Sequence, residues 1–358
     1  MTDKYEAGYD VFLQEDLEKI VENNTFWKNL ENSTILITGA TGLIGSLITK
    51  TVLCSNRLKN TNIKIIAMIR NEEKARKIFG NLLERENIVL FKCNIAEKID
   101  LPDQVDYIIH CASVTTSNIM ISHPVDVIQV AVNGTQNILN LAKEKSVKSM
   151  AYLSSMEVYG AFENTPEEKV SEDMLGYINP LKIRSNYPES KRLCENLCVA
   201  YAAQYQVPVK IARLAQTFGA GVLPGENRVF AQFARSAMAG TDIVLHTLGK
   251  SEGNYCYTRD AVSAIFILLC KGKNAQAYNV ANEASHITIA DMAHMVAEKF
   301  AEKPIKVVFD IPESNTYGYA SDTKMHLNAG KMMKLGWKPE VDLPEAYRRL
   351  IGSMKMQN

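Results

Sequence analysis

Residues 34–50 read TILITGATGLIGSLITK. A short apolar run enters a glycine-rich turn, and the turn enters a segment with helical periodicity. Gly39, Gly42 and Gly45 form G-x-x-G-x-x-G, with Thr41, Leu43 and Ile44 between them. Strand, glycine turn and helix in that order are the parts of a dinucleotide-binding βα unit. The first glycine permits the tight turn, the second lets the backbone approach a pyrophosphate, and the third allows close helix–strand packing. The helix start adds unpaired N–H groups and a positive dipole end. A glycine turn without a ligand is the plainer alternative; the ordered context favours the dinucleotide.

The neighbouring sequence supports the same fold. IKIIAMI (63–69), NIVLFK (87–92), VDYIIH (105–110), VKSMAYL (147–153) and VPVKIARL (207–214) are short, nearly continuous apolar runs. Helix-like segments separate several of them, including a long one at about 188–205. Such strands alternating with helices imply a parallel sheet covered on both faces, an α/β fold of the doubly wound Rossmann type. Beyond Leu214 the alternation weakens. Glycine-bearing loops surround one helix at 228–239, and a helix at 260–271 leads to the strand AYNVAN (277–282), which is expected to return to the sheet. The tail reads as a helix (IADMAHMVAEKF), a strand (IKVVFD) and a last helix after Pro344. The expected division is a helical extension over 1–32, a dinucleotide-binding domain over 33–215 with 255–282 returning to it, and a smaller α/β substrate lobe from 216–254 and 283–358. Residues 11–30 are expected to form a single helix anchored by Phe12, Ile20, Val21, Phe26 and Trp27.

Composition narrows the function classes. The 358 residues are 46% hydrophobic, enough for a sizeable core. Lys+Arg and Asp+Glu number 40 each, so no global field recruits nucleic acid or an anionic membrane. No run reaches the roughly 18 apolar residues of a membrane span. The polar, acidic first residues lack the apolar centre of a signal peptide. Seven scattered cysteines show no zinc or disulfide spacing, and the histidines none for a metal. The expectation is a reduced, cytoplasmic protein without a metal.

Two further stretches carry chemistry. The second strand ends in Arg70, where an NAD-binding unit usually has an acid on the ribose 2′-OH. An arginine suits a 2′-phosphate and tips the expectation from NAD towards NADP; a merely solvated Arg70 is the alternative. In RSNYPESKR (184–192), Tyr187 and Lys191 lie one helical turn apart and share a face. A lysine beside a phenol is expected to depress its pKa, preparing it to exchange a proton with a sugar or alcohol hydroxyl. SSMEVYG (154–160) follows an apolar strand and offers hydroxyls and a carboxylate. An exposed helical Tyr–Lys pair and a carboxylate capping its own loop are the bland alternatives.

TGATGLIG, HCAS (110–113), SSMEVYG and YPESK occur together in the order of the extended short-chain dehydrogenase/reductases. Over roughly residues 33–340 the chain resembles their nucleotide-sugar epimerase/dehydratase branch, with partial similarity to UDP-glucuronate decarboxylases. The resemblance implies that Ser155 shares the substrate proton, Tyr187 removes it as general base, and Lys191 holds the nicotinamide ribose. It places Asn94 and Ile95 at the adenine and Cys111, Ala112 and Ser113 along the dinucleotide. Ser113, Met156, Gln216 and Arg228 are then substrate contacts, and Asn133 a supporting helix residue. Hydride leaves the sugar, usually at C4, and the resulting ketone acidifies C5.

The same resemblance bears on the reaction. Ordinary 4,6-dehydratases carry Asp-Glu where this chain has Met156-Glu157, and a thioether donates no proton. Simple 4-epimerases usually lack the Glu. Many members have an arginine on the substrate diphosphate where this chain has Gly253; Arg259 lies out of register, and Arg228 is the better phosphate ligand. The expectation is an NAD(P)-dependent enzyme acting on a nucleoside-diphosphate sugar through a 4-keto intermediate, as a decarboxylase, epimerase or dehydratase. An NADPH-dependent keto-sugar or carbonyl reductase and a non-catalytic dinucleotide sensor are the rivals. A homodimer through helices at about 124–145 and 188–205 is expected by the resemblance.

Overall fold

The computed structural model describes residues 5–162, 168–312 and 323–357. Its centre is a parallel sheet. Strands β1 (Thr34–Thr38), β2 (Lys64–Ile69), β3 (Ile88–Lys92), β4 (Tyr107–His110), β5 (Ser149–Ser155) and β6 (Val209–Leu214) follow in chain order. Short strands β7 (Gln216–Phe218), β8 (Ile243–Leu245), β9 (Glu252–Gly253) and β10 (Tyr255–Tyr257) come next, then β11 (Ala277–Val280), β12 (Ile287–Thr288) and β13 (Val307–Phe309). Seven of them make the sheet in the order β11-β6-β5-β4-β1-β2-β3. Ile35–Ile37, Ile108, Ile109, Met150 and Ala151 have no exposed surface, because helices cover both faces.

The helices are α1 (Val11–Glu22), α2 (Trp27–Leu30), α3 (Leu43–Lys59), α4 (Glu72–Phe79), α5 (Ser117–Ser122), α6 (Pro124–Glu144) and α7 (Asn186–Tyr205). After them come α8 (Val229–Ala239), α9 (Thr258–Lys271), α10 (Ile289–Phe300), α11 (Gly330–Met333) and α12 (Leu343–Met356). The expected single helix over 11–30 is two. Asn23, Asn24 and Thr25 interrupt it, and the Asn24 amide donates to the Ile20 carbonyl at 2.8 Å. Such side chains compete with the helix for its own backbone groups. The break lets Phe26 and Trp27 turn onto Phe266 of α9, with ring centroids 5.5 and 4.9 Å away. Two small parallel pairs, β7–β10 and β8–β13, together with α8, α10 and α12, enclose a second core of Phe218, Phe230, Phe233, Tyr255 and Tyr347.

Strand register decides where the site forms. Thr38 lies opposite both Met68 and His110, His110 opposite Tyr152, and Ser155 opposite Leu214. The carboxyl ends are therefore level. The glycine turn, Arg70, Cys111 and the turn after β5 leave the sheet along one edge, where open α/β sheets take ligands.

Candidate active site

The glycine turn is sterically exclusive. Gly39 has φ +62°, and a Cβ there would come within 2.8 Å of the Ala112 backbone. A Cβ on Gly45 would stand 2.3 Å from the Gly39 carbonyl oxygen. Gly42 is the N-cap of α3, and no side chain caps that helix. The first-turn N–H groups are left for an outside acceptor. A turn this tight, closed to any larger residue and ending on an uncapped helix start, fits the pyrophosphate of a dinucleotide.

The wall beside it is set by His110. Its ring nitrogens meet the Thr38 hydroxyl at 2.7 Å and the Thr135 hydroxyl at 3.2 Å. Burial, helped by the nearby Lys191 charge, pushes His110 down to about 3, so it is neutral. The Thr38 hydroxyl accepts from the Ala112 amide at 3.1 Å, fixing the course of Cys111–Ser113. Burial raises the Cys111 thiol to about 12, which makes it an inert neighbour. Arg70 is exposed at the end of β2. Asn94 is exposed and bonds Glu97 at 2.7 Å. The Ile95 side chain instead enters the core, close against Gly134 of α6, which leaves Asn94 as the surface member of that pair. Asn133 is corrected outright. It lies on the exposed side of α6, whereas the face towards α7 carries Ala131, whose carbonyl accepts from the Cys194 thiol.

Helix α7 begins at Asn186, so Tyr187 sits in its first turn and Lys191 one turn later. Both are buried, at 7% and 3% exposure, which rules out the exposed helical pair. The Lys191 ammonium donates to the Leu153 carbonyl of β5 at 2.7 Å and lies over the rings of Tyr152 and Tyr187, 4.9 and 5.8 Å from their centroids. The Ser155 hydroxyl accepts the Glu157 amide at 3.2 Å and is near enough to Tyr187 to favour its ionised form. Arg192, the last residue of RSNYPESKR, is structural: it donates to the Val158 and Gly176 carbonyls at 2.8 and 2.7 Å, clamping the turn that carries Glu157.

The expected depression of the Tyr187 pKa is not found. Burial, then the Glu157 charge, push the phenol up to about 12; the Ser155 hydroxyl and the Arg184 and Arg228 charges pull it back. Burial also lowers Lys191 to about 8, so the lysine is a weak cation where the sequence suggested a strong one. Arg184 is the participant that sequence reasoning missed. Its guanidinium meets both Glu157 oxygens, at 3.1 and 3.0 Å, and lies 5.8 Å from the Tyr187 ring centroid. The arginine opening RSNYPESKR was the available signal.

The remaining residues divide. Met156 is 8% exposed and belongs to the main core; its methyl is 3.5 Å from where a Cβ on Gly253 would stand. Packing is its first role. Gln216 is exposed on β7. Arg228, just before α8, pairs with Glu226 at 2.8 Å and is near enough to act on Tyr187. Arg259 is committed elsewhere, to Asp16 and Glu340 at 3.4 and 3.3 Å.

A glycine cradle for a dinucleotide, with serine, tyrosine and lysine at the next strand end, defines an oxidoreductive site of the extended short-chain dehydrogenase/reductase type. The chain belongs to the NAD dependent epimerase/dehydratase family, which it matches over residues 35–281. It is 28% identical to UDP-glucuronic acid decarboxylase 1 of Danio rerio over 327 residues, 91% of this chain and 73% of that relative. It is also 28% identical to UDP-glucuronic acid decarboxylase 6 of Arabidopsis thaliana, covering 91% and 89% of the two chains. Among solved structures, an epimerase from Methanothermobacter thermautotrophicus superposes with a TM-score of 0.76 at 20% identity, over 94% of this chain and 95% of that one. The protein is thus an enzyme of the epimerase/dehydratase family, similar along most of its length to UDP-glucuronic acid decarboxylases. Among the described residues no helix is long and apolar enough to cross a membrane.

Proposed function

We propose that the enzyme oxidises the C4 hydroxyl of a nucleoside-diphosphate sugar and then acts at C5, with decarboxylation of a uronic acid as its net reaction. One observation carries the first half: Ser155, Tyr187 and Lys191 converge at one strand end beside the glycine cradle. The bound dinucleotide supplies the hydride acceptor. Tyr187 takes the hydroxyl proton, Ser155 shares it, and Lys191 holds the ribose. Gly39, Thr41, Gly42, Leu43, Ile44 and Gly45 carry the pyrophosphate. Gln216 and Arg228 face the substrate diphosphate. Glu157 retains a carboxylate where a C5 step needs one, while Met156 removes the acid that elimination of water would use. The names of the relatives favour decarboxylation over epimerisation. Incubation with UDP-glucuronate and mass analysis of the product tests this. Loss of carbon dioxide is expected; loss of water or an unchanged mass overturns the decarboxylase reading.

Arg70, exposed and with no ion pair among the described residues, supports a preference for NADP over NAD. Binding of both dinucleotides to wild type and to Arg70→Glu checks it. The variant is expected to move the affinity ratio about tenfold or more towards NAD, at about 1.4 kcal/mol per tenfold. A ratio unchanged by the variant removes Arg70 from the cofactor site. We assign 33–215 with 255–282 to the dinucleotide domain, 216–254 and 283–358 to the substrate lobe, and 1–32 to the extension. Val125 and Ile128 of α6 and Leu193 and Val199 of α7 are exposed apolar residues that support a homodimer through these helices. Seven free thiols support a reducing, cytoplasmic setting.

A further inference from the structure

Charged groups approach Tyr187 from several elements. Glu157 comes from the turn after β5, Arg184 from the turn before α7, Arg228 from the loop before α8, and Lys191 from α7 itself. The Lys191 ammonium also lies over the ring of Tyr152 of β5. Glu157 is the anion among them, and an uncompensated anion beside a phenol opposes its ionisation. The cations are not equivalent. Lys191 is buried and committed to the Leu153 carbonyl. Arg228 is paired with Glu226. Arg184 alone among the described residues contacts both Glu157 and the Tyr187 ring. A guanidinium stays charged throughout the working pH range, unlike a buried lysine.

We propose that Arg184 is a positioning residue of the active site: its guanidinium holds the Glu157 carboxylate and lies against Tyr187, so that the carboxylate faces the C5 position while its opposition to the phenol is offset in part. The pair is about one-third exposed, at 27% and 34% for the two side chains, so its worth to folding is small. Its effect is electrostatic and local. The inference rests on the reading of Tyr187 as the proton-exchanging group.

Fluorine NMR of the full-length protein labelled with 3,5-difluorotyrosine, whose phenol ionises well below that of tyrosine and so titrates within the stable pH range, tests it without substrate. The Tyr187 resonance is the one lost in Tyr187→Phe. In Arg184→Gln its titration is expected to move up by about one pH unit, the scale of one partly screened charge at this range. Arg184→Lys keeps the cation and is expected to stay near wild type. Adding Glu157→Gln to Arg184→Gln removes the opposing anion and is expected to return most of the shift. An unmoved titration midpoint in Arg184→Gln overturns the proposal, and so does an equal shift of the midpoint in Arg184→Lys. Failure to turn over any nucleotide sugar would overturn the functional reading and leave this titration untouched.

Discussion

Tyr187→Phe is expected to lower turnover by about 10²–10⁴-fold, the range of a lost general base. Dinucleotide affinity is expected to change little, because the glycine cradle, the uncapped start of α3 and the Thr38-anchored Ala112 amide are untouched. The substitution removes one hydroxyl from a buried ring and keeps the ring's packing against Met120 and Val127. Single-turnover dinucleotide reduction separates the proton step from later chemistry. A rate within a few-fold of wild type would remove Tyr187 from catalysis and revive the non-catalytic sensor. The pH dependence has a definite sign. Burial and Glu157 favour the neutral phenol, so a base reaction through Tyr187 must quicken as pH rises. The positive charge of an oxidised nicotinamide would favour the phenolate.

Some of this was legible in the sequence and some was not, for physical reasons. The sheet was legible because strands buried on both faces are apolar at nearly every position, and β1, β4 and β5 are such runs. The glycine turn was legible because excluded volume at Gly39 and Gly45 admits nothing larger. Tyr187 and Lys191 share a face by helical arithmetic. Their titration was not legible, since burial dominates it and burial is set by packing across α5, α6 and β5. The Arg184–Glu157 contact joins two turns that are distant in sequence, so no local periodicity announces it. Asn133 misled because a motif resemblance gives order along the chain, whereas helix phase decides which residue faces inward. The break before Phe26 was readable: three consecutive residues that prefer side chain–backbone bonds are a poor helix centre.

Asp16→Ala is expected to destabilise the protein by about 3–5 kcal/mol, the cost of removing one partner from a buried ionic cluster. Asp16 stands on the apolar face of α1 with Leu13, Leu17 and Ile20, and only 2% of it is exposed. Its carboxylate meets Arg349 of α12 at 3.1 Å and Arg259 of α9 at 3.4 Å, and accepts from the Tyr257 hydroxyl at 2.5 Å. Without it, two buried guanidiniums face each other across an apolar helix interface. Glu15, Glu340 and Glu345 remain near them but are between 38% and 58% exposed and solvated, so they offset little; the buried Asp260, 3.9 Å from Arg259, already accepts the Glu340 and Val341 amides and offsets only part. Asp16→Asn keeps the shape and a polar partner and should cost less than alanine. Urea unfolding at matched protein concentration reads the difference, and a loss under about 1 kcal/mol would show that the cluster behaves like an exposed pair. The site should feel the same change. The Tyr257 hydroxyl also accepts the Ala220 amide at 3.2 Å, and Leu13 packs close to Gly221 in the loop that leaves β7. That loop leads towards Arg228. Helix α1 therefore braces a substrate-side loop from behind through the Asp16–Tyr257 bond. The variant's KM for the nucleotide sugar should accordingly rise under conditions where the fold remains intact.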